Sequence, residues 1–75
     1  MSPSSVFWRS RLAHALKAAR KQQGLSLRET QTACGVEFST LSRIENGRGC
    51  EVDTLVRVCR WCGVSADYVL NGEAP

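Results

Sequence analysis

Residues 26–47 read SLRETQTACGVEFSTLSRIENG. Ser26 followed by Glu29 is a capping box: the serine hydroxyl accepts from the Glu29 N–H while the Glu29 carboxylate reaches back to the Ser26 N–H. The helix begun there runs to about Cys34, where Gly35 ends it. Another helix follows over about 38–46, burying Leu41 and Ile44 and stopping at Asn46-Gly47. A helix built only to fill a core has no use for the outer face that this one carries. Glu37, Phe38, Ser39 and Thr40 stand at its start, and Ser42 and Arg43 one turn on.

Working outward, the pattern stays helical and no run alternates as a strand. Ser4 or Ser5 is expected to cap a first helix running to Gln22 or Gln23. Its apolar stripe is Leu12, Leu16 and Ala19 with Ala15 beside them, and Gly24 stops it. Past the loop GRGCEV, Glu51 or Asp53 begins a fourth helix with Leu55, Val58, Cys59 and Cys62 at i, i+3, i+4, i+7. Gly63 closes it, and Ser65 caps a short fifth helix, ADYVL, before Asn71-Gly72. Five short helices with short connections make an all-α, five-helix bundle. The chain of 75 residues is one domain, 1–75, with its core at about 10–72 and loose ends at 1–4 and 73–75.

Charge is unevenly distributed. Residues 1–48 carry eight basic side chains against three acidic ones; residues 49–75 carry two against four. One end is positive, as suits a polyanion partner. No apolar run reaches the roughly 20 residues needed to span a bilayer. The start, MSPSSVFWRSRL, has no apolar run of the kind a secretory leader needs. The expected setting is cytoplasmic.

Two short helices around a Gly-containing turn form a helix-turn-helix unit. In this register GLSLRE (24–29), GV (35–36), STLSRIENG (39–47) and GVSADYVLNG (63–72) resemble the Cro/C1-repressor (lambda repressor-like, XRE) family of DNA-binding domains. The resemblance covers roughly residues 10–72. It implies that the third helix enters the major groove and offers its N-terminal residues to base edges. Those positions are Glu37, Phe38, Ser39, Thr40, Ser42 and Arg43. A carboxylate accepts from cytosine N4, a guanidinium donates to guanine O6 and N7, and an apolar ring meets a thymine methyl. Other readings of these residues make Phe38 a buried staple, Glu37 an N-cap and Arg43 a phosphate ligand.

The resemblance further implies phosphate contacts at Ser26, Leu27, Arg28, Asn46, Gly47 and Arg48, where helix-start N–H groups favour an anion. Leu27 replaces a glutamine that several relatives use, so a backbone N–H or Arg28 has to take over. Arg20 and Glu45 match a structural ion pair that orients the reading helix. Thr30 stands where an aliphatic core residue is usual, and its hydroxyl needs a partner. Gln31 stands where a small alanine lets the two helices approach. Either the turn opens slightly or Gln31 hydrogen-bonds across it.

Cys34, Cys50, Cys59 and Cys62 raise a zinc reading. Against it, Cys34, Cys59 and Cys62 fall on core positions, and the 59–62 pair lies inside a helix. His14 is alone on a helix surface, with no nucleophile–acid set around it. No cofactor, metal, small-molecule ligand or membrane partner is expected, and no catalysis. The resulting expectation is a sequence-specific double-stranded DNA-binding transcriptional regulator, a repressor of phage, prophage or plasmid type. It would act as a homodimer on a pseudo-palindromic operator, with Trp61, Tyr68, Val69 and Leu70 as the dimer contact. The alternative is a protein-interaction module, such as an antitoxin or regulatory domain. A metal- or thiol-sensing regulator is a third class.

Overall fold

The computed structural model describes residues 7–72, which form five α-helices: α1 (Trp8–Gln22), α2 (Leu27–Cys34), α3 (Phe38–Glu45), α4 (Val52–Cys62) and α5 (Ala66–Asn71). The all-α expectation holds for these residues. The expected caps Ser4 and Ser5, and the ends 1–4 and 73–75, lie outside them. Within the described residues α1 is preceded by Phe7, which offers no side-chain cap.

Each later helix is set by local chemistry. In the capping box the Ser26 N–H donates to Glu29 Oε1 at 2.9 Å and the Glu29 N–H donates to Ser26 Oγ at 3.1 Å. The Ser26 N–H, with the Ser26 side chain adding to it, favours the charged carboxylate and holds Glu29 below its usual pKa. Glu51 stands before α4 without a side-chain cap bond, and Asp53 sits in the first turn, where a carboxylate complements the helix dipole. The Ser65 hydroxyl accepts from the Tyr68 N–H at 3.0 Å. The α2–α3 break requires its glycine, since Gly35 ends α2 at φ 77°.

α1 packs on α3, α4 and α5, while α2 lies against α3 and α4. Leu12 and Leu16 of α1, Leu41 and Ile44 of α3, Val58 of α4 and Val69 of α5 are fully enclosed. Each such side chain contributes about 1.5–3 kcal/mol relative to exposure. Cys59 joins this core, whereas Cys34 and Cys62, expected there too, are only half-buried at its margin. Both residues also border surface grooves, Cys34 beside Trp61 and Cys62 beside Tyr68.

Thr30 is fully buried, and its hydroxyl donates to the Ser26 carbonyl at 2.8 Å. The polar residue at an otherwise aliphatic position is thus satisfied within its own helix. Arg11 tethers the far end of the bundle: Nε donates to the Val69 carbonyl at 2.7 Å and Nη2 to that of Leu70 at 3.1 Å. A cation at the end of α5 suits the exposed helix carbonyls there.

Candidate nucleic-acid interface

The start of α3 is fixed from three sides. Val36, in the turn, is buried and anchors the chain to the core. Gln31 reaches across from α2, its Oε1 accepting from the Phe38 N–H at 2.6 Å. This settles the alternative left open by the sequence: the long amide bridges the turn and partners a helix-start donor that α3 leaves free. Finally, Arg28 of α2 lies over the Phe38 ring, its guanidinium carbon 4.6 Å from the centroid.

The other end of α3 is held by charge. Arg20 Nε donates to Glu45 Oε2 at 2.7 Å and Nη2 to Oε1 at 3.0 Å, a two-point ion pair. Arg20 Nη1 also donates to the Leu25 carbonyl at 3.0 Å, so one side chain joins α1, the α1–α2 turn and α3. The hydrogen bonds to Glu45 raise the Arg20 pKa above its ordinary value, with the carboxylate charge adding to the effect. The structural pair expected from the sequence is therefore present.

Between these fixed ends the expected base-reading residues come together at the start of α3 and one turn on. Glu37, Ser39 and Arg43 are exposed; Phe38, Thr40 and Ser42 are half-buried. Glu37 precedes the helix without a side-chain cap bond, so its carboxylate is not used as an N-cap. Glu37, Thr40 and Arg43 face a cleft of ≈ 560 Å³ whose opposite wall carries Glu51, Asp53 and Arg57. Arg57 Nη1 in turn donates to the Gly35 carbonyl at 3.3 Å, tying α4 to the turn.

Of the expected phosphate ligands, Ser26 is the α2 cap, its hydroxyl accepting from the Glu29 N–H. Leu27 is half-buried and packs against the core, so only its backbone N–H suits an anion. Asn46 Nδ2 donates to the Ser42 carbonyl at 2.9 Å, Gly47 turns the chain at φ 81°, and the Arg48 N–H returns to the Arg43 carbonyl. Arg48 itself is exposed.

Sequence reasoning missed Arg9. Its guanidinium lies against Gly49: a Cβ built there would stand 2.9 Å from Arg9 Nε. Arg9 thereby joins Arg48 beside the loop after α3. The available signal was Gly49 itself, a glycine whose φ is not positive and whose missing side chain leaves room for a neighbour.

The expected dimer contact needs correction. Val69 is fully buried, because α5 turns it into the core, and it offers nothing to a second chain. Trp61 lines a groove between α2 and α4, Tyr68 one between α1 and α5. Leu70 is 39% exposed.

Among the described residues no group of three or more His, Cys, Asp or Glu side chains is placed to hold a metal ion. His14 is exposed. No described helix is long and apolar enough to cross a membrane.

A short helix anchored at both ends, with its polar start left open beside a left-handed glycine turn, defines a helix-turn-helix protein of the DNA-binding regulator class. A family model described as "Helix-turn-helix domain" matches residues 11–70, and the chain belongs to that family, consistent with the Cro/C1 resemblance. No solved structure matches the chain.

Proposed function

We propose that this protein is a sequence-specific transcriptional repressor of phage, prophage or plasmid type, without catalytic activity, that works in the cytoplasm as a homodimer on pseudo-palindromic double-stranded DNA. The observation that carries the reading is the anchoring of α3. Gln31 and Val36 hold its start and Arg20 its end, while Glu37, Ser39 and Arg43 stay exposed. Such pre-set geometry is what edge recognition needs, because a bidentate contact tolerates little displacement.

In this reading Arg43 donates to guanine O6 and N7, Glu37 accepts from cytosine N4, and Phe38 meets a thymine methyl. Ser39, Thr40 and Ser42 take either kind of partner. The α2 start (Ser26 hydroxyl, Leu27 and Arg28 N–H groups) and the loop of Asn46, Gly47 and Arg48, joined by Arg9, hold phosphates on either side. Mixed charge around α3 supports reading rather than bulk adhesion. Carboxylates repel phosphate and are useful at such a surface only where they meet a base donor.

The alternative, a module whose main partner is another protein, needs a continuous apolar face. The burial of Val69 counts against the C-terminal helices as that face. Selection of bound duplexes from a random library tests the proposal. The expected result is a two-fold repeat of short half-sites centred ~34 Å apart along one face of the DNA. No enriched duplex, or a site with no repeat at one protein per duplex, overturns it.

A further inference from the structure

Arg28 is the second residue of α2 and Phe38 the first of α3, and the turn places the guanidinium over the ring at 4.6 Å. One turn along the same face of α2, Gln31 holds the Phe38 backbone N–H. Phe38 is therefore gripped twice from α2, once at its amide and once at its ring. Arg28 remains exposed and the ring half-exposed.

We infer that Arg28 and Phe38 are one composite reading element, which recognises two adjacent base pairs: the ring takes a thymine methyl and the guanidinium takes the neighbouring guanine. This rests on the DNA-binding reading above. It moves the Arg28 side chain from the phosphate rim to the base edges, while its backbone N–H stays with the phosphate. A phosphate accepts from a guanidinium approaching over a wide range of directions, so an arginine that binds it can swing, whereas a base edge fixes the approach. Lying over the ring limits that swing and leaves the in-plane N–H fork free, as bidentate recognition of guanine O6 and N7 demands. The spacing fits as well. A guanidinium carbon 4.6 Å from the ring centroid sets the two groups about one base-pair step apart, against a rise of about 3.4 Å. The thymine methyl is an apolar target that the ring covers while the fork points past it.

The test uses the wild-type chain on its selected duplex, with single base analogues walked through the half-site. Uracil for thymine deletes the methyl, and 7-deazaguanine for guanine deletes the N7 acceptor. One adjacent pair is expected at which 7-deazaguanine weakens binding roughly five-fold or more and uracil about three- to five-fold. Arg28→Ala and Arg28→Lys should both abolish the 7-deazaguanine penalty; Lys retains the charge but has no fork. Phe38→Leu should shrink the uracil penalty. Thermal melting of each variant separates misfolding from lost contact, and the analogue walk on wild-type protein stands without any variant.

Two results overturn the inference alone. In one, no adjacent sensitive pair is found on a duplex that is otherwise selected and bound. In the other, Arg28→Ala weakens selected and random DNA equally and reduces the salt slope by about one, which marks a phosphate contact. Failure to select any duplex overturns the DNA-binding reading, and this inference with it.

Discussion

Arg20, near the end of α1, and Glu45, the last residue of α3, share two hydrogen bonds of 2.7 and 3.0 Å with side chains only 19% and 7% exposed. A pair so enclosed differs from a surface salt bridge. Removing Glu45 leaves the Arg20 charge part-buried without its main partner. Glu45→Ala is therefore expected to cost about 1–3 kcal/mol in urea unfolding, below the range for a fully buried pair because Arg20 stays partly open to water and keeps the Leu25 carbonyl. The double change Arg20→Met with Glu45→Leu should recover much of that loss. A cost below about 1 kcal/mol for the single change would place the pair with ordinary exposed ones.

Thr30 gives a contrasting case. The Ser26 carbonyl accepts both the Thr30 hydroxyl at 2.8 Å and the Thr30 N–H at 2.9 Å. Thr30→Val deletes the hydroxyl yet leaves the carbonyl satisfied, so stability should change by less than about 1 kcal/mol. Thr30→Ala removes a buried methyl as well and should cost more, about 1–2 kcal/mol. Denaturant curves for the two variants against the wild type decide it: a loss above about 2 kcal/mol for Thr30→Val would show that the hydroxyl is indispensable.

These two residues also mark what the sequence made legible. The α2 capping box, the left-handed glycine and the heptad-like stripes are local signals, so α2 through α5 and their order follow from neighbours in the chain. The Arg20–Glu45 pair joins distant segments and was legible only through family resemblance. Gln31 is ambiguous in the sequence, since an amide in place of alanine either opens the turn or bridges it, and only the turn geometry decides which. Arg28 over Phe38, Arg9 over Gly49 and Arg11 on the α5 carbonyls were not legible. Long flexible side chains leave no periodic trace, and their partners are set by tertiary packing. Val69 was misassigned for a related reason: in so short a helix the phase does not distinguish an outward apolar residue from an inward one.

The cysteines yield a prediction of pH dependence. Burial pushes the Cys62 thiol up to about 12, with Cys59 and Cys34 adding to it, and burial likewise raises Cys50 and Cys59. A folded value above the unfolded one means that the folded chain holds the proton more tightly. The resulting stabilisation is complete below about pH 9 and declines as pH rises toward about 12. Cys62→Ala should accordingly flatten the loss of stability between about pH 9 and pH 11. At about neutral pH the native thiol should react with a disulfide reagent much more slowly than free cysteine. Chelator should leave the melting curve unchanged, and stoichiometric zinc in the purified protein would overturn this account of the thiols.

At the α3 surface, base and phosphate contacts separate by their response to sequence and salt. Arg43→Ala and Ser39→Ala should weaken binding to the selected site by roughly 1–3 kcal/mol more than binding to random DNA. Arg48→Ala and Arg9→Ala should weaken both alike, each lowering the salt slope by about one. Titrations over a salt series report both quantities. Equal losses for Arg43 on both DNAs would move it to the backbone, and an unchanged slope for Arg9 would leave it as a packing contact on Gly49.

The last prediction concerns Leu70 and the second copy of the chain. A helix of the length of α3 reads about four base pairs, too few to single out a site in a genome, and the proposed function answers this by having two domains act together. With Val69 enclosed, Leu70 is the residue of the expected contact that stands most open, at 39% exposure. A patch this small supports only a weak dimer, one completed when both domains sit on the same DNA face. Leu70→Asp should therefore leave melting nearly unchanged and leave half-site affinity intact, since α5 packs on α1 and α4 rather than on the α2–α3 unit. Affinity for the full two-fold site should fall toward the square of the half-site affinity scaled by concentration, with cooperativity lost. Gel-shift titrations on half and full sites measure this directly. Unchanged cooperativity in Leu70→Asp would exclude the end of α5 from the contact and direct attention to Trp61 in the α2–α4 groove.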